Sequence, residues 1–148
     1  MINKWDKYFL TMARHVSTMS KDPSSKVGCV IAGTDNRLIS TGYNGLPKKI
    51  LDRDEYLTNR DIKLKIILHA EENAFNFATR ELDGYTVYTW PFQPCAHCTS
   101  LIIQNGIIKV VSLRANLPRW QPDFDLSESL FKEAGVELVL IEPSEMEE

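Results

Sequence analysis

The chain has 148 residues, 43% of them hydrophobic and 25% charged, and carries a formal net charge of −3. That length and balance suit a single domain over residues 1–148 with a core of ordinary size, and the acidic sum leaves no broad basic surface for gripping a nucleic-acid polymer. No apolar run is long enough to span a bilayer, and MINKWDKYFLTMARH is too interrupted by charge for a secretory signal, so a cytoplasmic protein without a membrane partner is expected.

Along the chain, Trp5, Tyr8, Phe9, Met12, Val16 and Met19 recur at spacings of three and four, which predicts a first helix with these residues on its buried face. KDPSS stops it, because Pro23 disfavours helical geometry at Asp22. VGCVIAG and RLISTGY, joined by TDN, read as a β-hairpin, and Cys29 within it reads as a small buried hydrophobe. Residues 44–64 are polar and charged, and are expected to form a long loop with a helical turn near Arg60; loops of that length in compact domains are often functional. A helix follows from about Ala70 to Arg80, then the strand YTVYTW. After Pro94 a helix carries Leu101, Ile102 and Ile103 and ends at Asn105-Gly106. The strand IIKVVSL, a Pro-containing loop, a helix opened by Asp125 and Glu128 as a capping box and closed by Gly135, and the strand VELVLI complete the order. Residues 143–148 read as a solvated, frayed acidic tail. The order α-β-β-α-β-α-β-α-β implies an α/β fold, with a mostly parallel, helix-covered sheet and one antiparallel hairpin.

The close pair Cys95 and Cys98 cannot be interpreted alone. With three cysteines in all, a disulfide framework is disfavoured, and Cys-x-x-Cys serves redox and metal chemistry alike. One αβ unit earlier stand His69 and Glu71. His-x-Glu followed by Pro-Cys-x-x-Cys resembles the signature of zinc deaminases that act on nucleobases. His69, Cys95 and Cys98 would supply three ligands of the type zinc prefers, with a fourth position open for water. Both thiols fall in the first turn of a helix, where N–H groups and the helix dipole favour thiolate. Glu71 is expected to act as base and then as acid rather than as a ligand. His97 is expected to face away from the metal and Glu72 to be a polar neighbour. A redox role for the cysteines would leave His69 and Glu71 unexplained.

Nearly the whole chain resembles the deoxycytidylate (dCMP) deaminases of the cytidine deaminase-like fold, in SKDPSSKVG, GYNGLP, HAEENA, PFQPCAHC with LIIQNGIIKVV, and EAGVELV. The resemblance implies a three-layer α/β/α fold with a five-stranded mixed sheet, and hydrolysis of dCMP to dUMP and ammonia. It makes His69, Cys95 and Cys98 the ligands of one Zn²⁺ per chain and Glu71 the proton shuttle. It places Asn44 against the base and sugar. Lys21, Ser24, Ser25, Lys26 and Tyr43 become candidates for the phosphate or for regulatory dCTP and dTTP, with an accompanying Mg²⁺, and the chain is expected to be a homo-oligomer, with a hexamer favoured. Many members continue GYNG with Pro-x-Gly, whereas here Lys48 and Lys49 follow Pro47, at the point where that regulation is in question. Independently of the resemblance, SLRANLPRWQPDF lies where open α/β sheets place ligands, so Arg114 and Arg119 are candidate phosphate clamps and Trp120 a pocket wall. Three alternatives stay open: a tRNA adenosine deaminase, which the acidic balance disfavours; a deaminase of another nucleotide; and a zinc-stapled binding module without catalysis, against which Glu71 speaks.

Overall fold

The computed structural model describes residues 2–147, in the order α1 (Lys4–Ser17), β1 (Gly28–Ala32), β2 (Leu38–Tyr43), α2 (Asp54–Thr58), α3 (Arg60–Ile66), α4 (Ala70–Phe77), β3 (Thr86–Trp90), α5 (Ala96–Gln104), β4 (Lys109–Leu113), a 3-10 turn (Pro118–Trp120), α6 (Gln121–Ala134), β5 (Glu137–Ile141) and α7 (Pro143–Met146). The strands join one five-stranded sheet in the order β2-β1-β3-β4-β5. All five residues of β1 are buried, because alternate side chains enter two different cores. Cys29 and Ile31 pack with Ala70, Ala74, Ile102 and Phe131 on the side of α4, α5 and α6. Val30 and Ala32 pack with Phe9, Leu10 and Ala13 of α1 on the other side. The result is an α/β/α arrangement, and Cys29 is the buried hydrophobe its surroundings predict.

The sheet is less parallel than the order of elements suggests. β3–β4 and β4–β5 are parallel pairs, but β1 is antiparallel to both β2 and β3. A helix between two strands makes β2 and β3 run the same way; it does not make them neighbours, and here β1 lies between them.

Four local expectations need correction. The buried face of α1 is Asp6, Phe9, Leu10, Ala13 and Ser17, while Trp5, Tyr8 and Met19 are exposed. Small residues set this phase: a Cβ on Gly28 would run into the Ala13 carbonyl and the Ser17 amide, so α1 crosses β1 at near-backbone contact. The segment 44–64 contains two short helices, α2 and α3, rather than a single turn. Helix α6 starts at Gln121, with Pro122 in its first turn. Asp125 lies inside that helix, accepting from Gln121 Nε2 at 2.8 Å, and makes no capping box. Finally, residues 143–146 of the acidic tail form a helical turn that places Met146 against the α1-side core. Among the described residues no helix is long and apolar enough to cross a membrane.

The element that positions the site is α4, and it is held on the edge strand by several contacts. Ser40 Oγ donates to the Ala74 carbonyl at 2.7 Å, and Asn73 Nδ2 donates to the Tyr43 carbonyl at 2.8 Å. Between them, Gly42 lets the helix backbone rest on the strand: a Cβ there would meet the Ala70 carbonyl and the Ala74 amide. Gly42→Ala should therefore lower unfolding stability by about 2 kcal/mol or more, by the cost of overpacking against groups that cannot yield. Urea unfolding of the metal-free protein measures this, and an unchanged midpoint would contradict the close approach.

Candidate active site

Residues 46–67 leave the sheet and return, and the base of the excursion is closed by Gly45 and Leu68. Each N–H donates to the other's carbonyl, at 3.0 and 2.9 Å. The next residue is His69, which caps α4 in extended geometry, and its backbone N–H donates to Glu72 Oε1 at 2.9 Å. Glu72 is thus the polar neighbour expected, closing the first turn. Cys95 caps α5 in the same way, its Sγ accepting from the Cys98 N–H at 3.5 Å. Asp123 of α6 accepts the Ala96 N–H at 2.9 Å, so the start of α5 is pinned from a second helix.

Two helix N-termini therefore meet. His69 Nδ1 lies 3.6 Å from Cys95 Sγ and 3.3 Å from Cys98 Sγ, and the three donor atoms all fall within 4.8 Å of one another. A tetrahedral zinc with ordinary Zn–S and Zn–N lengths would separate sulfur from nitrogen by roughly 3.5 Å, so the donor set fits that ion. His97 points to solvent, as expected.

Burial and close approach pull the titratable groups of this cluster in opposite directions. Cys95 is lowered to about 4, chiefly by the hydrogen bond from the Cys98 thiol and also by His69. Cys98, donating that bond and buried, is pushed up. The two thiols thus share one negative charge, and a divalent ion would let both ionise. His69 is raised to about 9, first by its hydrogen bond to Cys95. Glu71, 5% exposed, is raised to about 7 by burial and then by the Cys95 charge. Cys29 lies close enough to feel Glu71, but burial is the larger cause of its raised value.

His69, Glu71 and Cys95 open on a cavity of about 340 Å³, of the size usual for small-molecule sites. Phe92, Phe124 and Trp120 wall it on one side, and Leu57, Leu64 and Ile67 come from the covering segment. Asn44 lines it, as do Ser24 and Ser25. The Asn44 amide is largely committed: Nδ2 donates to the Ser25 carbonyl at 2.8 Å and to Asp22 Oδ2 at 3.3 Å, while Oδ1 accepts the Val27 N–H at 2.9 Å. One lone pair of Oδ1 remains for a ligand donor.

The other anticipated residues lie off the cavity wall. Arg114 pairs with Glu142 at 2.7 Å, Arg119 stands over the Trp120 ring, and Lys21 pairs with Asp52 at 3.1 Å. Lys26 and Tyr43 are exposed and do not line the cavity.

Sequence reasoning missed Asp22 and Lys63. Asp22 was visible only as a helix stop, yet it is buried and accepts from the N–H groups of Ser24 and Ser25. Lys63 of α3 reaches its Oδ1 at 2.7 Å, with side chains only 12% and 4% exposed. This pair ties the covering helix to the loop that holds Asn44. Forty-one residues separate the partners, and no local pattern links them.

Three ligand-type groups lie together, two of them, His69 and Cys95, on a cavity wall beside a buried carboxyl, an arrangement of the kind a catalytic rather than a structural metal centre requires. Comparison with known proteins agrees. Residues 3–114 match the family described as the cytidine and deoxycytidylate deaminase zinc-binding region. The chain is 43% identical to an uncharacterized deaminase in the luxG 3′ region of Aliivibrio fischeri, over 93% of this chain and 94% of that one. It is 35% identical to the deoxycytidylate deaminase of Mus musculus, over 90% of this chain and 77% of that one. Its fold matches the crystal structure of the dCMP deaminase of cyanophage S-TIM5 in complex with dCMP and dUMP, with a TM-score of 0.75 and 24% identity over 95% of this chain and 99% of that one. The chain belongs to the cytidine and deoxycytidylate deaminase family and is a deaminase.

Two outcomes test the site. Purified protein should hold one equivalent of zinc per chain, and Cys98→Ala should hold far less; elemental analysis reads both, and two equivalents in the parent protein would refute the single centre. Asp22→Ala should cost about 3 kcal/mol of unfolding stability, because it strands a buried ammonium; a loss below about 1 kcal/mol, typical of exposed pairs, would mean that Lys63 finds water.

Proposed function

We propose that the chain hydrolyses dCMP to dUMP and ammonia, with Glu71 as the group that moves protons. The observation that carries this is the placement of Glu71: its carboxyl is buried in the cavity wall, two residues after one member of the metal-ligand cluster. Its relatives' names supply the substrate, since several are deoxycytidylate deaminases.

The proposed metal is zinc, held by His69, Cys95 and Cys98, and zinc would supply a hydroxide nucleophile at neutral pH by lowering the pKa of bound water. Glu71 takes the proton that water gives up. It passes that proton to ring N3 as C4 is attacked, then takes the second proton from the new hydroxyl on C4 as the carbonyl forms and delivers it to the departing amine, so that water and dCMP balance dUMP and ammonia. A carboxyl shielded from solvent keeps these protons at the reacting atoms. The aromatic walls Phe92, Phe124 and Trp120 suit a flat base, and the remaining Asn44 Oδ1 lone pair suits a sugar hydroxyl. The small-molecule size of the cavity and the net charge of −3 favour a free nucleotide over tRNA.

We further infer a homo-oligomer, because Trp5, Tyr8 and Met19 leave apolar surface on and just beyond one helix that assembly would cover. Mg²⁺ is assigned no part in the reaction; it would accompany only a regulatory nucleotide.

Zinc-loaded wild type should release one ammonia per dUMP formed, and Glu71→Gln should retain zinc while losing about 10²- to 10⁴-fold in kcat, the span usual for a general acid–base group. A zinc-replete Glu71→Gln variant with full activity would rule out the proton-shuttle role.

A further inference from the structure

The substrate proposed above is anionic, yet Arg114 and Arg119 do not line the cavity, and each already has a neighbour for its guanidinium. Two other cations do line it. Arg60 and Lys63 stand three residues apart on α3, where i and i+3 positions share a helix face. Lys63 gives one of its three donors to Asp22, which neutralises its charge but leaves two N–H groups unspent. Arg60 has no ion-pair partner among the described residues, although acidic residues make up 20 of the 148. The hydroxyl-bearing residues Ser24, Ser25 and Thr58 line the same cavity.

Apart from the Asp22–Lys63 pair, whose charges offset each other, the cavity's ionisable groups sort by element. Glu71, His69 and Cys95 come from the starts of α4 and α5, whereas the unpaired cation comes from the covering helix. A phosphate dianion is repelled by Glu71 and attracted by the uncompensated guanidinium of Arg60, which is exposed at the edge of the cavity and so acts at contact range rather than at a distance. These charges suit a nucleotide whose base faces the metal-ligand cluster and whose phosphate faces α3. Arg supplies a planar fork of donors that suits phosphate oxygens.

We propose that Arg60, seconded by Lys63, is the specificity-determining cation that selects a nucleoside 5′-monophosphate over the corresponding nucleoside. This rests on the deaminase reading above and deepens it: the element that covers the cavity also chooses the phosphorylation level.

The test compares kcat/KM for dCMP and for deoxycytidine in zinc-loaded wild type, Arg60→Ala, Arg60→Lys and Lys65→Ala. Lys65 lies on the same helix, is exposed and is not on the cavity wall, so it controls for a general loss of surface charge. Wild type should prefer dCMP, and Arg60→Ala should reduce that preference about 10- to 100-fold, as expected for one lost charge-assisted contact. The loss should fall on KM, Arg60→Lys should restore part of it, and Lys65→Ala should match wild type. An Arg60→Ala variant with an undiminished preference overturns the proposal, as does an equal effect from Lys65→Ala or a wild type indifferent to the phosphate. A second readout is independent of turnover: inorganic phosphate should raise the thermal midpoint of the zinc-loaded wild type but not of Arg60→Ala. If that shift appears while dCMP is not deaminated, the anion site stands and the substrate reading falls. If dCMP is deaminated and no Arg60-dependent shift or preference is seen, the substrate reading stands and the anion site falls.

Discussion

The contact between α4 and β2 is the constraint on which the site depends. A helix normally meets the sheet it covers through the side chains that fill the gap between them. At Gly42 the gap closes to backbone against backbone, and the hydrogen bonds from Ser40 and Asn73 lock the helix along the strand. His69 and Glu71 lie in the cap and first turn of that helix, so their positions are inherited from the sheet. The cysteines are placed by the same sheet two strands away: β3 ends at Trp90, and α5 begins just beyond Cys95. β1 is hydrogen-bonded to both β2 and β3, which makes it the ruler that sets the spacing between the two helix starts.

This geometry concentrates negative charge. Two thiols and one carboxyl are drawn together behind Phe92 and Phe124, away from bulk water. The protein compensates with two helix N-termini pointed at the same spot and with His69 held between the sulfurs. That is insufficient to ionise both thiols, as the opposed shifts of Cys95 and Cys98 show, and the deficit is of the sign that a divalent cation removes. A buried pair is treated quite differently elsewhere. Asp6 and Lys109 form an ion pair on the α1 side, where the Tyr88 hydroxyl also donates to Asp6. There every charge has its partner within the chain, so the fold asks for nothing from outside.

What was legible in the sequence follows from the range of the interactions involved. The hairpin, the strands β3 to β5, the end of α6 at Gly135 and the metal-ligand cluster were visible because each is encoded within a few residues or by residue types with narrow chemistry. The phase of α1 was misread because hydrophobic spacing weighs Trp5 and Tyr8 heavily, whereas the packing is set by Ala13, Ser17 and Gly28, whose contribution is the absence of bulk. The start of α6 was misplaced because Asp125 followed by Glu128 matches the capping-box pattern, whereas the helix opens at Gln121 with Pro122 in its first turn and no side-chain cap. The antiparallel β1–β3 pairing could not be seen because element order fixes strand direction and leaves adjacency free.

The segment 46–67 was the least legible, and its physical character explains why it matters. Its helices are short, contribute little to either core, and are held at the base by Gly45 and Leu68 and on the flank by the Asp22–Lys63 pair. A segment with so little core to bury has no strong periodicity to announce it, and its residues answer to the cavity beneath rather than to the sheet. In the proposed reaction the sheet-borne helices carry the residues that hold the metal and move protons. The cover is free of that duty, so changes there can alter which ligand is admitted without disturbing the chemistry. Asp22 couples the two regimes: it orients Asn44 from below and receives Lys63 from above, so that the position of the cover and the orientation of a cavity-wall amide cannot vary independently.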